Sequence, residues 1–124
     1  MLRMRSASIL VTDDERAIDF YQNKLGFTLI VNQKTPEGIT FMMFQPPGGG
    51  AKLVVSRPVP GREAKVGGFS NIFWETDDVE KTHAELAAKG VEFIQPPVKR
   101  FWGGVEAIFV DPDGNQFLLQ QGGI

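Results

Sequence analysis

The sequence repeats the same order of local signals twice, 65 residues apart, and this duplication restricts the possible fold more than any other feature. Asp13 follows a short apolar segment and offers N-cap chemistry for a helix, and Asp78 does the same in the second half. Gly26 and Gly90 stand where a left-handed residue would end each helix. Strand-like segments follow both helices. The sequence therefore predicts two βαβββ modules and an α+β fold.

The turn and linker signals give the bounds of these modules. The first is expected at about residues 5–56, a linker rich in proline and glycine at about 57–68, and the second module at about 69–122. The segment Asp111-Pro112-Asp113-Gly114-Asn115 predicts a tight turn before the last strand. The predicted strands lie at 7–11, 27–32, 39–44, 52–56, 71–76, 91–94, 105–110 and 116–121. We expect the two modules to form a single domain.

Composition excludes several classes of function. Thirteen basic residues are scattered among 15 acidic ones, for a net charge of −2, which argues against a nucleic-acid partner. The chain has no cysteine, so it has neither a disulfide framework nor a thiolate nucleophile. The apolar run Ile9 to Val11 is too short for a signal peptide or a membrane span, and we expect a cytoplasmic protein. Ten phenylalanines suggest that aromatic rings line an interior or a cavity.

Two motifs at opposite ends of the repeat carry a family resemblance. Val11-Thr12-Asp13, with Phe20-Tyr21 and Leu25-Gly26-Phe27, is similar to the first-module signature of the vicinal oxygen chelate superfamily, and Asp111 to Asn115 is similar to its last hairpin. This superfamily contains glyoxalases, bleomycin resistance proteins and extradiol dioxygenases. The resemblance covers nearly the whole chain. It implies mixed sheets that curl into a cup with the helices outside, and a homodimer as the expected assembly.

Metal-dependent members of this superfamily place four ligands on the floor of the cup. Counting along the motifs aligns those four positions with Ser6, Val54, Asn71 and Leu118. Valine and leucine have no donor atoms, and serine is a poor ligand for a divalent metal. We therefore expect that the metal site has been lost and that the protein uses no cofactor.

A second hypothesis is a metal-dependent lyase, isomerase or dioxygenase that uses non-standard ligands. Its candidates are Glu75, Glu106 and His83, although one histidine and no cysteine are few donors for such a site. We expect His83 to be a half-buried residue on the outer layer. The side to which Glu106 points depends on where its strand begins, and sequence leaves this open.

A third hypothesis is acid/base catalysis without a metal, and Glu75 is its candidate residue. Strand alternation places Asn71, Phe73 and Glu75 on the cup side and turns Ile72 and Trp74 toward the helices. Desolvation by a cup rich in phenylalanine would suit Glu75 to proton transfer. A carboxylate at the rim, paired with a lysine or arginine, is the alternative, so whether the protein is an enzyme stays open.

The function that the sequence favours is binding of an apolar or aromatic small molecule in the cup. Phe101 and Trp102 precede a glycine pair and could form a lid over a ligand, or could cap the edge of the core. Gln116 and Gln120 are expected to flank Leu118 with hydrogen-bonding amides. The predicted ligand-binding residues are Ser6, Ser8, Met42, Val54, Asn71, Phe73, Phe101, Trp102, Gln116, Leu118 and Gln120.

Overall fold

The computed structural model describes residues 1–122 of the chain. They form an α+β fold that divides into two compact units, with the boundary between Gly67 and Gly68. This boundary falls at the end of the predicted linker, where a short 3₁₀ turn, Glu63–Lys65, precedes the second module. No helix among residues 1–122 is long and apolar enough to span a membrane.

The first unit is a four-stranded mixed sheet with one helical segment, and we call this sheet 1. Its spatial order is β1-β4-β3-β2; β1 runs parallel to β4, and the other neighbouring strands are antiparallel. A short α-helix, α1, continues directly into a π-helical segment, where one continuous helix had been expected. The elements are β1 (Ser6–Leu10), α1 (Asp14–Ile18), the π-helical segment (Asp19–Lys24), β2 (Thr28–Lys34), β3 (Thr40–Gln45) and β4 (Lys52–Ser56).

The second unit repeats this topology, and we call its sheet sheet 2. The order is β5-β8-β7-β6, again with one parallel pair, β5 and β8. The strand after Gly90 takes the same place in sheet 2 as the strand after Gly26 takes in sheet 1, so the predicted repeat is confirmed. The elements are β5 (Gly68–Glu75), α2 (Val79–Ala88), β6 (Glu92–Lys99), β7 (Val105–Val110) and β8 (Asn115–Gln121).

The predicted helix signals act as expected. The carboxylates of Asp13 and Asp78 each accept a hydrogen bond from the backbone amide three residues later, at 2.9 and 3.0 Å. Gly26 and Gly90 adopt φ angles of 77° and 92°, in the region that favours glycine. Local chemistry therefore indicates where both helical segments begin and end.

Strand β6 is longer than the four residues predicted for it, because it runs on through Pro96 and Pro97 to Lys99. Proline lacks a backbone N–H, so the interior of a strand is an unusual place for it. Here the two prolines lie on an edge strand, and the pairing of β6 with β7 shifts register between Gln95 and Val98. An edge position and a bulge are the places where a sheet accepts proline.

Each sheet packs one face against its own helical segment. In the first unit the ring of Tyr21 lies 5.6 Å from that of Phe44, and both side chains are buried. In the second, His83 on α2 packs on Phe93 at 4.5 Å, and on the same side of the sheet Phe117 lies 5.3 Å from Phe109. Much of the phenylalanine content thus belongs to the two cores. We call the opposite face of each sheet its open face.

Candidate ligand-binding site

The open face of sheet 1 contains three of the predicted ligand-binding residues. Ser6 pairs with Lys52 and Ser8 pairs with Val54 across the parallel strands β1 and β4. Directly paired residues point to the same side of a sheet, and positions two apart do so as well. Ser6, Ser8 and Val54 therefore share one face, as the alternation of the sequence predicted.

Met42 does not belong to that face, and its predicted place there is wrong. Its side chain is fully buried, and it pairs with the buried Val55 on the core face. Met43 pairs with Val54 instead and is half-buried on the open face. With two methionines in succession, only the register of β3 against β4 decides which one faces the core.

The open face of sheet 2 has an apolar row that crosses the sheet. Phe73 on β5 pairs with Leu118 on β8, which pairs with Ile108 on β7. Phe73 is 60% exposed in the chain, and the other two side chains are half-buried. The row ends before β6, whose pairing with β7 is irregular between Phe93 and Val98. We call Phe73, Leu118 and Ile108 the apolar row.

A polar row runs beside it, two residues further along each strand. Glu75 pairs with Gln120, and Gln120 pairs with Glu106. This register answers the question that the sequence left open, because Glu106 lies on the open face. Its carboxylate accepts a hydrogen bond of 3.1 Å from Arg100 Nε in the preceding hairpin. Gln116 lies on the same face, on the other side of the apolar row.

A β-bulge in β5 shapes the edge of this face. Phe69 pairs with Gln116 and Phe73 pairs with Leu118, so four residues of β5 span only two of β8. Asn71, inside the bulge, has a φ angle of 61°. The bulge brings the rings of Phe69 and Phe73 to 6.1 Å from each other. Phe69 was not among the predicted residues, because simple alternation does not reveal a bulge. The one signal in the sequence is Asn71, a residue type that tolerates a positive φ.

The predicted lid residues occupy the hairpin between β6 and β7. Phe101 is 96% exposed, whereas Trp102 is half-buried, and their rings meet edge to face at 4.9 Å. Trp102 is held against Gly104, where an added Cβ would lie 2.8 Å from the indole Nε1. Phe101 thus projects from the hairpin while Trp102 packs on its base. Closure of either ring over a ligand stays a prediction.

The donors present do not fit a transition-metal site at the four aligned positions. Val54 and Leu118 have no donor atoms. Nowhere in residues 1–122 do three His, Asp or Glu side chains come together in a group that could hold a metal ion. His83, Glu75 and Glu106 do not form such a group in that range either, and the His83 ring packs on Phe93 at 4.5 Å.

Glu75 lies where alternation placed it, on the side opposite Trp74. It is exposed, and within residues 1–122 no hydrogen bond or ion pair to its carboxylate is found. The residues of its own unit therefore do not supply the desolvation that a general acid would need. The predicted pairing with a lysine or arginine is also not seen there; Glu106 has that role with Arg100.

Three relatives match this chain over most of its length. A member of the glyoxalase/bleomycin resistance protein/dioxygenase superfamily from Sphaerobacter thermophilus is 33% identical in sequence. Its crystal structure matches with a TM-score of 0.88 over 98% of both chains. TnmS3, an antibiotic binding protein from Streptomyces sp. CB03234, is 32% identical with a TM-score of 0.82, and the match covers 98% of this chain and 96% of that one. An uncharacterised protein from Shewanella frigidimarina is 31% identical over 92% of this chain and 89% of its own.

The family model that matches the chain agrees with the duplicated topology described above. It is that of the Glyoxalase/Bleomycin resistance protein/Dioxygenase superfamily, and it matches residues 3–119. The repeated βαβββ modules, the similar solved structures and this match lead to one conclusion. The chain belongs to the Glyoxalase/Bleomycin resistance protein/Dioxygenase superfamily.

Proposed function

We propose that the protein binds an apolar or aromatic small molecule on the open face of sheet 2, without a metal ion. The apolar row is the observation that carries this proposal. Phe73 is a large aromatic side chain that is 60% exposed, and its row continues through Leu118 and Ile108. A contiguous apolar strip between polar groups is typical of a ligand-binding surface.

The predicted residues take distinct roles in this proposal. Phe73 and Leu118 form the floor, and Asn71, Gln116 and Gln120 offer hydrogen bonds at its margins. Phe101 and Trp102 form the lid. Ser6, Ser8 and Val54 lie on the equivalent open face of sheet 1, and their contact with a ligand stays a prediction. The methionine on this face is Met43 and not the predicted Met42, because Met43 pairs with Val54.

The ligand is proposed to be an organic molecule of the antibiotic type, held without chemical change. The similarity to TnmS3, an antibiotic binding protein that is 32% identical to this chain, supports this class of ligand. The donor chemistry supports binding over metal-dependent catalysis, because two of the four aligned positions are aliphatic. No observation at Glu75 favours acid/base catalysis.

The proposal is tested with a neutral aromatic dye, Nile red, and two matched variants. Leu118→Glu adds a carboxylate to the apolar row and should weaken binding by about 1–3 kcal/mol. Val59→Glu makes the same change at an exposed apolar residue of the linker, and its affinity should equal that of the wild type. Failure of the dye to bind, or equal loss in both variants, would contradict the proposal.

Tryptophan fluorescence tests the lid separately. Trp74 and Trp102 are the two tryptophans of the chain. Ligand binding should perturb Trp102, so the signal should vanish in Trp102→Phe and persist in Trp74→Phe. If Trp102→Phe keeps the full ligand-induced signal, the hairpin does not cover the ligand.

We also propose that the chain forms a homodimer in the cytoplasm. Phe73, Ile94 and Phe101 are large apolar side chains left exposed in the single chain, and a partner could cover part of this surface. Light scattering coupled to size-exclusion chromatography should give twice the monomer mass of 13.7 kDa. A monomer at micromolar concentration would rule the dimer out.

A further inference from the structure

Arg100 and Glu106 form an ion pair at the base of the hairpin between β6 and β7. The guanidinium Nε donates to Glu106 Oε2 at 3.1 Å, and the two side chains are 34% and 12% exposed. Charge-assisted hydrogen bonds are stronger than neutral ones, and partial burial reduces their screening by salt. The pair therefore holds the arginine in one place on the hairpin.

Two independent observations place this arginine beside the open face of sheet 2. Its partner Glu106 lies on that face, because β7 and β8 pair in regular register and the alternate residues Ala107 and Phe109 are buried in the core. Val98 pairs with Glu106, so it points to the same side, and Arg100 follows two residues later. The contact and the strand alternation agree.

The ion pair uses only one of the donors of Arg100. A guanidinium has five N–H groups, and within residues 1–122 only the Nε–H has an acceptor. The two Nη atoms carry the other four in a planar fork, a geometry that suits an oxygen acceptor. Because Glu106 already orients the guanidinium, these donors can bind a ligand oxygen with little further loss of side-chain entropy.

The charges around the guanidinium decide which oxygen it favours. Glu106 compensates the positive charge of Arg100 directly, and Glu75 adds a second carboxylate to the polar row. An ionised oxygen would be repelled by both carboxylates, whereas a neutral carbonyl oxygen accepts a hydrogen bond without carrying a full negative charge. The polar row therefore favours a neutral acceptor over an anion.

We infer that Arg100 is a specificity-determining residue of the proposed site and that it donates to a neutral carbonyl oxygen on an aromatic ligand. This inference rests on the proposed function and names the ligand class for the same face. The aromatic body lies on the apolar row, and the polar row is two residues away along the strands, about 7 Å. An oxygen at one end of a naphthyl-sized body thus comes within reach of the guanidinium. Glu106 is a positioning residue, which acts on the ligand through Arg100.

Three probes with a common naphthalene body test this assignment. They are 2-acetylnaphthalene with a neutral oxygen, 2-ethylnaphthalene without an oxygen, and 2-naphthoate with a charged one. Dissociation constants are measured by ligand-detected NMR titration. The wild type should bind the ketone about tenfold more tightly than the hydrocarbon, and it should bind naphthoate no better than the hydrocarbon.

Arg100→Met removes the donors and keeps a long side chain. The preference for the ketone should disappear in this variant, while the affinity for the hydrocarbon stays unchanged. Lys99→Met is the matched control, because it removes the neighbouring, exposed cation of β6, which alternation turns to the other side of the strand. The control should keep the wild-type preference, and loss of that preference in both variants would contradict the inference.

Glu106→Gln tests the positioning role by a change in charge selectivity. Glutamine keeps an acceptor for Arg100 Nε but removes the compensating charge, so the affinity for naphthoate should rise about tenfold while that for the hydrocarbon stays the same. A residue that only supported the hairpin would change all three affinities together. That result, or an unchanged affinity for naphthoate, would overturn the inference.

The possible results separate this inference from the proposed function. If ketone and hydrocarbon bind the wild type equally and Leu118→Glu weakens both, the face binds ligand but Arg100 does not select it, and the inference fails alone. If no probe binds, the proposed function fails with it. A lower melting temperature in Arg100→Met, with equal loss of all probes, would show that Arg100 supports the fold and would also refute its role in selecting the ligand.

Discussion

The hydroxyl of Ser70 donates a 2.7 Å hydrogen bond to the backbone carbonyl oxygen of Gln116, across the parallel pair β5 and β8. The same hydroxyl accepts a hydrogen bond from the backbone amide of Ile72 at 3.1 Å. Ser70 thus pairs backbone groups inside the bulge, where regular pairing of the two strands is interrupted. One side chain holds the bulge that places Phe69 beside Phe73.

Ser70→Ala should lower the free energy of unfolding by about 1–2 kcal/mol, because both backbone groups lose their partner. Urea denaturation measures this loss. Ser8→Ala is the matched control, since Ser8 is an exposed strand serine, and it should change stability little. Equal effects of the two substitutions would mean that the Ser70 hydroxyl does not hold the bulge.

Asn71 should tolerate glycine and reject a β-branched residue, because its φ angle of 61° is accessible to asparagine and glycine. Asn71→Val should cost about 1–2 kcal/mol of unfolding free energy, and Asn71→Gly should be near neutral. Thermal unfolding of the two variants compares them directly. If valine is tolerated as well as glycine, the bulge does not have this backbone conformation.

Asp14 should make the fold sensitive to acid. Burial raises the pKa of its carboxyl, but hydrogen bonds from Arg57 and Thr40 outweigh burial and hold the pKa below its ordinary value of 3.8. The ionised carboxylate therefore stabilises the fold above that pH, and the contribution is lost as the pH falls through the lowered folded-state pKa.

Asp14→Asn tests this dependence. It should destabilise the protein by about 1 kcal/mol at pH 7, a value kept small because water screens the half-exposed Arg57. The difference from the wild type should shrink as the pH is lowered below 4. Asp77→Asn, at an exposed position before α2, serves as the control. A difference that is constant from pH 7 to pH 3 would contradict the role of the charge.

Gly104→Ala should destabilise the hairpin and displace the Trp102 indole. The added Cβ would lie 2.8 Å from the indole Nε1 and 3.2 Å from the backbone oxygens of Gln121 and Gly122. We expect a loss of about 1–3 kcal/mol and a shift of tryptophan emission. Gly48→Ala is the control, because nothing lies within 4 Å of its added Cβ. An unchanged emission spectrum would show that Trp102 does not pack on Gly104.

Protein purified without chelator should contain far less than one equivalent of Zn, Ni, Mn or Fe, because the aligned positions have too few donors. Elemental analysis measures the metal content, and a melting curve with added metal provides the control for loss during purification. A stoichiometric metal with a matching rise in melting temperature would refute this expectation.

The repeat was predictable because its signals are local. A carboxylate before each helix and a glycine after it act within a few residues, so Asp13, Asp78, Gly26 and Gly90 indicated the topology directly. Which residues of β8 face the core could be predicted equally well, because buried and half-buried positions alternate along this strand. Such patterns need no knowledge of which strands become neighbours.

The details of the candidate site were less predictable, because they depend on register. The choice between Met42 and Met43 is made by the pairing of β3 with β4, and the bulge at Asn71 is defined only against β8. The length of β6 was underestimated for the same reason. The strand continues to Lys99, beyond the four residues predicted for it, and its pairing with β7 is a tertiary property.

The two consecutive prolines of β6 also determine how sheet 2 can meet other chains. Neither Pro96 nor Pro97 has a backbone N–H to donate to a neighbouring strand, and both lie on β6, an edge strand of sheet 2. This edge is therefore poorly suited to pairing with an added strand. Consecutive prolines in an edge strand disfavour aggregation by strand addition, so sheet 2 is protected at its β6 edge within residues 1–122.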